Sequence, residues 1–333
     1  MGLIIELAFF TKLEGMLLVS VDGRYKIKVH RRLDSDLSQP LALTIGNFDG
    51  IHLGHQFMLA KLRERAREKG LQTAVMLFYP HPRFFFQSKT FREVWTLRDK
   101  IIHLARLGIE HVYIARFNVK FSSYSARFFV EDIIIKSLRV GYLVVGEDFL
   151  FGANRSGETS LLREYSKLGT FSFEIVPDVF DDGERLSSTM LRGVLADHNF
   201  ERVRNLLGFS YQIFDRVRYG RQLGRQLGFP TINLLPPVNS VLHGTFVVNV
   251  HGLEDFPVPG VGNIGRRPTL ASADNVDWLE IHLLDFHENV YGRRVSVEFL
   301  AHLHDERCYA SRHELISGIE NDCAAARSYF NKR

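Results

Sequence analysis

Cysteine is nearly missing from this chain. Only Cys308 and Cys323 occur in 333 residues, which excludes a disulfide framework and a cysteine-built metal cluster. A reducing, cytoplasmic setting is the simple expectation. Long apolar runs are missing as well, so no segment is predicted to span a membrane. The N-terminus, Met1 to Met16, is apolar in places but carries Glu6, Lys12 and Glu14. It lacks the basic start and small-residue cleavage site of a signal peptide. An excess of either charge is also absent. The formal net charge of +4 is too small and too dispersed to indicate nucleic acid, although it suits anionic small molecules. What is present is ordinary for a globular protein, with 45% hydrophobic and 24% charged residues. The length allows two separate cores. Phenylalanine is abundant at 27 copies, useful for packing and for stacking on a flat ligand.

One stretch organises the rest: Leu43-Thr44-Ile45-Gly46-Asn47-Phe48-Asp49-Gly50-Ile51-His52-Leu53-Gly54-His55. Its apolar start, Leu41 to Ile45, has the length of a buried strand. Glycines then bracket a sharp turn, and Gln56 to Lys69 reads as a helix with Leu59, Leu62 and Ala66 on one face and Gly70 closing it. Strand, tight loop and helix in that order aim backbone N–H groups and the positive helix end at an anion. His52 and His55 lie three apart at the helix start, so both can reach one ligand. Two such histidines also fit a partial zinc site or plain surface positions, but no third and fourth ligand stand nearby. As donors to phosphate, they would stabilise charge that builds up as a phosphoanhydride breaks.

Further strands are predicted at Thr73–Phe78, His111–Ala115 and Tyr142–Val145, with helices at Thr96–Leu107 and from a Ser125 cap to Ile135. Alternation at this spacing indicates a parallel, doubly wound sheet, which binds ligands at the carboxyl ends of its strands. Loops follow strands at Gly46–His55, Tyr79–Arg83 and Gly146–Gly157. The last is glycine-rich and carries Asp148, Phe149 and Arg155, a binding loop or only a turn. Ser187-Ser188-Thr189 with Arg192 suits phosphate, or a helix cap beside a surface arginine.

After a short helix, Phe200 to Leu207, the pattern changes at Gly208. Period-two strands appear at Thr245–Val250, Trp278–Asp285 and Arg294–Phe299, which indicates an antiparallel sheet or small barrel. Ser311 to Glu314 forms a capping box before a last helix with Leu315, Ile319, Cys323 and Ala326 on one stripe. Cys323 is expected in the core. Between Gly220 and Asn233, Gly220, Gly224 and Gly228 recur four apart with arginines between them. This is a basic flap over phosphates or a solvated linker; no G-K-[ST] follows, so it is not a Walker A loop. Beyond Pro230, Thr231 and Asn233 point to one side if extended, and oxygen ligands of that kind suit Mg²⁺. Glu280, on spacing alone, is an outward residue of an alternating strand.

The motif around His52 and His55 resembles the adenylylation motif of the bacterial bifunctional riboflavin kinase/FAD synthetase family, a branch of the H-x-G-H nucleotidylyltransferases. Gly220–Asn233 is similar to that family's riboflavin kinase signature, as are Gly260–Thr269 and the Glu280–Asp285 strand. The resemblance covers roughly residues 26 to 330. It implies an extension over residues 1–25, a Rossmann-like FMN adenylyltransferase domain over 26–208 and an antiparallel β-barrel riboflavin kinase domain with a terminal helix over 209–333. Implied too are ATP as co-substrate, riboflavin, FMN and FAD as substrates and products, and Mg²⁺. In that resemblance His52, His55 and Glu280 are catalytic, Glu280 as the base for the riboflavin hydroxyl. Gly46, Asn47, Phe48, Asp49, Gly54, Pro80, His81, Asp148, Phe149, Ser187, Ser188, Thr189, Arg192, Gly220, Arg221, Gly224, Gly228, Pro230 and Asn263 bind nucleotide or flavin. Thr231 and Asn233 hold the metal. Leu150 and Phe84 depart from the family pattern and take no role. A tRNA-charging enzyme would need a lysine-rich second signature and an anticodon-reading domain, and neither is evident. A non-catalytic flavin-binding regulator should have lost these groups.

Overall fold

The computed structural model describes residues 12–13, 16–21, 23–34, 39–87, 90–220, 224, 227–266 and 277–332. The chain divides into two compact units. The first holds residues 1–91 and 97–188, and the second holds 92–96 and 189–333.

The first unit is built on an eight-stranded sheet. Its strands are β1 (Lys12–Leu13), β2 (Met16–Val21), β3 (Tyr25–His30), β4 (Leu41–Ile45), β5 (Gln72–Tyr79), β6 (His111–Arg116), β7 (Val140–Gly146) and β8 (Ser172–Val176), in the order β1-β2-β3-β6-β5-β4-β7-β8. β3 through β8 run parallel, while β1–β2 and β2–β3 are antiparallel. From β4 the chain moves to β5 and β6 on one side, and later to β7 and β8 on the other. The order therefore reverses between β4 and β7, and in such sheets the crevice at that switch point is where ligands bind.

β4 is buried along its whole length, because neighbours on both sides and helices on both faces suit an unbroken apolar run. The helix Leu53–Lys69 follows, burying Leu59, Leu62 and Ala66. Gly70, at φ 63°, ends it by giving its N–H to the Ala66 and Arg67 carbonyls, a left-handed stop that glycine adopts without a Cβ penalty. Strand β6 leads to Ser125, whose Oγ caps Phe128 N at 3.1 Å. The helix continues as expected but with π-type bonding over Phe129–Ser137. A two-stranded hairpin, β9 (Phe180–Asp181) and β10 (Glu184–Arg185), completes the unit.

The extension expected over residues 1–25 contains a strand of the sheet. Residues 16–21 are β2, paired with β3 over six positions from Met16–His30 to Val21–Tyr25. Val19 and Val21 are buried with Ile27 and Val29 of β3. The strand escapes a family-based boundary because edge strands belong to the sheet by pairing rather than by motif.

In the second unit six antiparallel strands form one sheet: β11 (Gln212–Arg216), β12 (Thr231–Leu234), β13 (Gly244–His251), β14 (Val258–Arg266), β15 (Asp277–Leu283) and β16 (Arg294–His304), ordered β11-β16-β13-β14-β15-β12. Two residues past β11, Arg218 N–H bridges to the Asn233 carbonyl of the other edge strand, β12, at 2.8 Å. The expected barrel is thus a curled sheet closed at one point. The helix Arg312–Asn331 packs Cys323 and Ala326 against Val247, Val261 and Leu284. Ser311 caps it by accepting from Glu314 N at 3.1 Å. Residues 92–96 come from far upstream in the sequence. Trp95, fully buried, stacks near Phe209 and Tyr211, and Tyr211 Oη donates to the Val94 carbonyl at 2.6 Å.

Deleting residues 1–23 uncovers β3 and removes two buried valines, each worth about 1.5–3 kcal/mol on burial. Calorimetry should show a clearly lowered melting transition. An unchanged melt would mean that β2 contributes nothing to the sheet.

Candidate active sites

The loop from Gly46 to His52 leaves β4 at the switch point. Phe48, Gly50 and Ile51 all take positive φ, 46°, 98° and 39°. Such backbone is strained for a bulky or β-branched residue, and persists only where the surroundings over-determine it. Here Phe48 and Ile51 are wholly buried and pin the loop. Gln56 adds a brace, donating Nε2 to the Ile51 carbonyl at 2.9 Å. Gly54 is needed for a close approach: a Cβ there would sit 3.1 Å from the His52 ring.

That packing brings the two imidazoles face to face, with centroids 3.9 Å apart, and Phe48 against His55 at 4.9 Å. Burial, then the Arg185 charge, lowers the His52 pKa to about 4 against a smaller opposing pull from Asp49. His55 is pushed well below its ordinary value by burial, then by His52 and Lys100. Both rings are therefore neutral at pH 7. Three shielded polar atoms here lack a protein partner: Asn47 Oδ1, His52 Nδ1 and His55 Nδ1. Buried polar groups are nearly always satisfied, so three orphans at one loop and helix start are a candidate place for a ligand. Beneath them, Lys100 Nζ stands 3.5 Å from Asp49 Oδ1, both almost fully buried.

The loop after β7 lies on the other side of the switch point. Asp148 is exposed and takes the Arg185 guanidinium at 2.9 Å, while Arg185 also reaches Asp178 at 2.6 Å. Phe149 turns inward to stack on Phe151. Leu186, next to Ser187, packs 3.8 Å from where a Gly54 Cβ would be. Ser188 opens the helix Ser188–Ala196, at the point where the chain passes from the first unit to the second; Arg192 donates to Thr189 Oγ1 at 3.4 Å. At the end of β5, the Tyr79–Pro80 bond is cis and buried His81 accepts from Arg83 N at 3.0 Å. Beyond it Phe85, Phe86, Phe117, Phe121 and Phe78 form a run of edge-to-face rings, with Phe86 largely exposed.

The second unit assembles its polar residues by strand register. Asn233 of β12 faces Glu280 of β15, Glu280 faces Asn263 of β14, and Asn263 faces Thr245 of β13. Directly opposed residues share one face of a sheet, so four strands carry a polar row that sequence spacing does not reveal. Thr245 Oγ1 donates to Asn263 Oδ1 at 3.2 Å. Thr231, two before Asn233, faces His282, whose Nδ1 lies 3.0 Å from the Pro230 carbonyl. Gly220 is pressed against the Asn233 amide, where a Cβ would not fit. Gly224 accepts from Leu227 and Phe229 N–H, and Gly228 turns at φ 89°. Arg221 and residues 267–269 lie outside the described residues. A cavity of about 160 Å³ adjoins Thr231, walled by Phe286, Val290 and Tyr291 among others.

Sequence reasoning missed Lys100, Arg185 and Thr245. Lys100 had a signal: it lies three after Leu97 and four before Leu104, inside the apolar stripe. Arg185 and Thr245 are placed only by tertiary packing.

Comparison with known proteins agrees with this division. An FAD synthetase family model matches residues 34–190 and a riboflavin kinase model matches 207–330. Proteins described as bifunctional riboflavin kinase/FMN adenylyltransferase from Escherichia coli K12 and Pseudomonas fluorescens are 40% and 41% identical to this chain. Each alignment spans 86% of this chain, and 92% and 91% of those proteins. The Haemophilus influenzae protein of the same description is 39% identical over 88% of this chain and 95% of its own length. A crystal structure described as a macrolide-efflux protein from Streptococcus pneumoniae is similar in fold, with TM-score 0.72 and 26% identity over 90% of this chain and 98% of that one. No helix among the described residues is long and apolar enough to cross a membrane. The chain belongs to the bifunctional riboflavin kinase/FMN adenylyltransferase family, converting riboflavin to FMN and FMN to FAD with ATP.

Proposed function

We propose that each unit performs one of the two reactions, adenylyl transfer at the loop of His52 and His55 and phosphoryl transfer along the Glu280 row. The observation that carries the first assignment is the set of unpartnered atoms on Asn47, His52 and His55 at the sheet's switch point. Gly46, Phe48, Asp49 and Gly54 shape this loop around the ATP phosphates. Neutral imidazoles in a dry site donate to phosphate oxygens as the α-phosphorus changes partners from pyrophosphate to the FMN phosphate, and such donors are worth most where water is excluded. Asp148, Phe149, Ser187 and Ser188 close round the nucleotide. The half-buried phenylalanine run beside Pro80 and His81, with Phe86 exposed, offers an apolar wall that suits the flavin ring.

In the second unit Glu280 accepts the riboflavin hydroxyl proton as that oxygen attacks the γ-phosphorus of ATP. Its neighbours Asn233 and Asn263 hold it between two amides. Gly220, Arg221, Gly224, Gly228 and Pro230 form the flap over the phosphates. Thr231 and Asn233 alternate onto one face and offer oxygen donors, which fits Mg²⁺, an ion that keeps most of its waters; when bound, it neutralises phosphate charge. Positioning and charge compensation supply most of the rate in both steps. With both cysteines free, the protein suits the cytoplasm.

His55→Ala should slow FAD formation on the order of a hundred- to a thousandfold while FMN accumulates from riboflavin. Glu280→Gln should do the reverse, losing about a hundred- to ten-thousandfold on riboflavin yet converting supplied FMN. Chromatography of the flavins reads both. Loss of FMN formation in a well-folded His55→Ala protein would sink the assignment. EDTA should stop both steps while the protein stays folded; outright unfolding would mean that the fold itself depends on a metal.

Lys100→Met removes one half of the buried ion pair with Asp49, and breaking such a pair costs about 3–5 kcal/mol. FMN adenylylation should fall while the kinase step continues. Adding Asp49→Asn should restore much of the melting temperature, since both charges of the pair are then gone, but not FAD formation. Full recovery of FAD formation in the double variant would show that the pair serves stability alone.

A further inference from the structure

A second cluster in the second unit consists of residues given no part in either reaction above. His198 lies in the turn between the helices Ser188–Ala196 and Phe200–Leu207, at a left-handed φ of 55°. His302 is near the end of β16, and Asp305 follows that strand. One side-chain donor atom from each of the three lies within 4.8 Å of the others. His302 Nε2 is 3.3 Å from Asp305 Oδ1, about the edge length of a tetrahedron with metal–ligand bonds near 2.1 Å. The same Nε2 is shielded from solvent and has no hydrogen-bond partner. Beside it, Gly244 leaves open a space whose Cβ would sit 3.0 Å away.

We propose that His198, His302 and Asp305 bind a divalent transition-metal ion of the zinc, cobalt or nickel class. Two imidazoles and one carboxylate are the donor set these ions prefer over Mg²⁺, which favours oxygen alone. The two rings stack at 3.9 Å with planes 28° apart, so ligation takes a turn of the half-buried His198 ring towards the His302 nitrogen. His243, also close, is engaged with the Ser240 carbonyl at 3.0 Å, leaving three protein ligands and an open position for water. Three ligands of this kind make an exchangeable site, one that ties the His198 turn to the end of β16.

Co²⁺ tests this directly, because its visible absorption reports ligand number and geometry. The full chain, without a histidine tag and with Cys308→Ser to remove the exposed thiol, is titrated with Co²⁺ in excess Mg²⁺. One equivalent should bind with the intense bands of a four- or five-coordinate ion, and Zn²⁺ should displace it and raise the melting temperature. His302→Gln and Asp305→Asn, each melting near the parent without metal, should weaken binding by more than the roughly 10–100-fold seen on losing a ligand's supporting partner. Should His302→Gln fail to fold, His198→Gln in the turn takes its place. Only weak six-coordinate absorption, or unchanged affinity in the folded variants, overturns the proposal.

Discussion

The contact between Lys100 and Asp49 holds in place the loop that leads to His52 and His55. An ion pair taken almost wholly out of water is weak evidence of stability, since desolvation offsets much of the attraction. It is strong evidence of position, because neither charge can leave the other without a large penalty. Asp49 lies in the loop after β4 and Lys100 in the helix after β5, so the pair locks that loop onto the sheet's flank. With Phe48 and Ile51 driven into the core at positive φ, the loop has one conformation. His52 and His55 are then held at the first turn of a helix, neutral and dry, with Asn47 beside them. Arg185 and Asp49 act on His52 in opposite senses, and burial outweighs both.

The second unit reaches the same end by a different physical route. Its polar groups come from separate strands and are brought into line by register, where a slip of one residue would turn Glu280 to the other face. The ladder that pairs Asn233, Glu280, Asn263 and Thr245 is therefore a positioning device as well as a source of cohesion. Closure at Arg218 and Asn233 fixes the edge strand that carries Thr231. Residues 92–96 add a buried tryptophan to this unit from a distant part of the sequence. Neither unit is thus a continuous stretch of chain.

The sequence by itself determined whatever depends on local pattern. The buried run of β4, the Gly70 stop, the helix Phe200–Leu207 and the Ser311 cap follow from periodicity and backbone chemistry within a few residues. The pairing of His52 with His55 followed too, because three residues on a helix bring side chains together wherever the helix lies. Only the tertiary structure decided what depends on residues distant in the chain. It made β2 part of the sheet, put Lys100 under Asp49, brought Arg185 towards His52 and set Glu280 between two asparagines. It also set both histidine pKa values, because burial is contributed by many segments at once and is written in no single one.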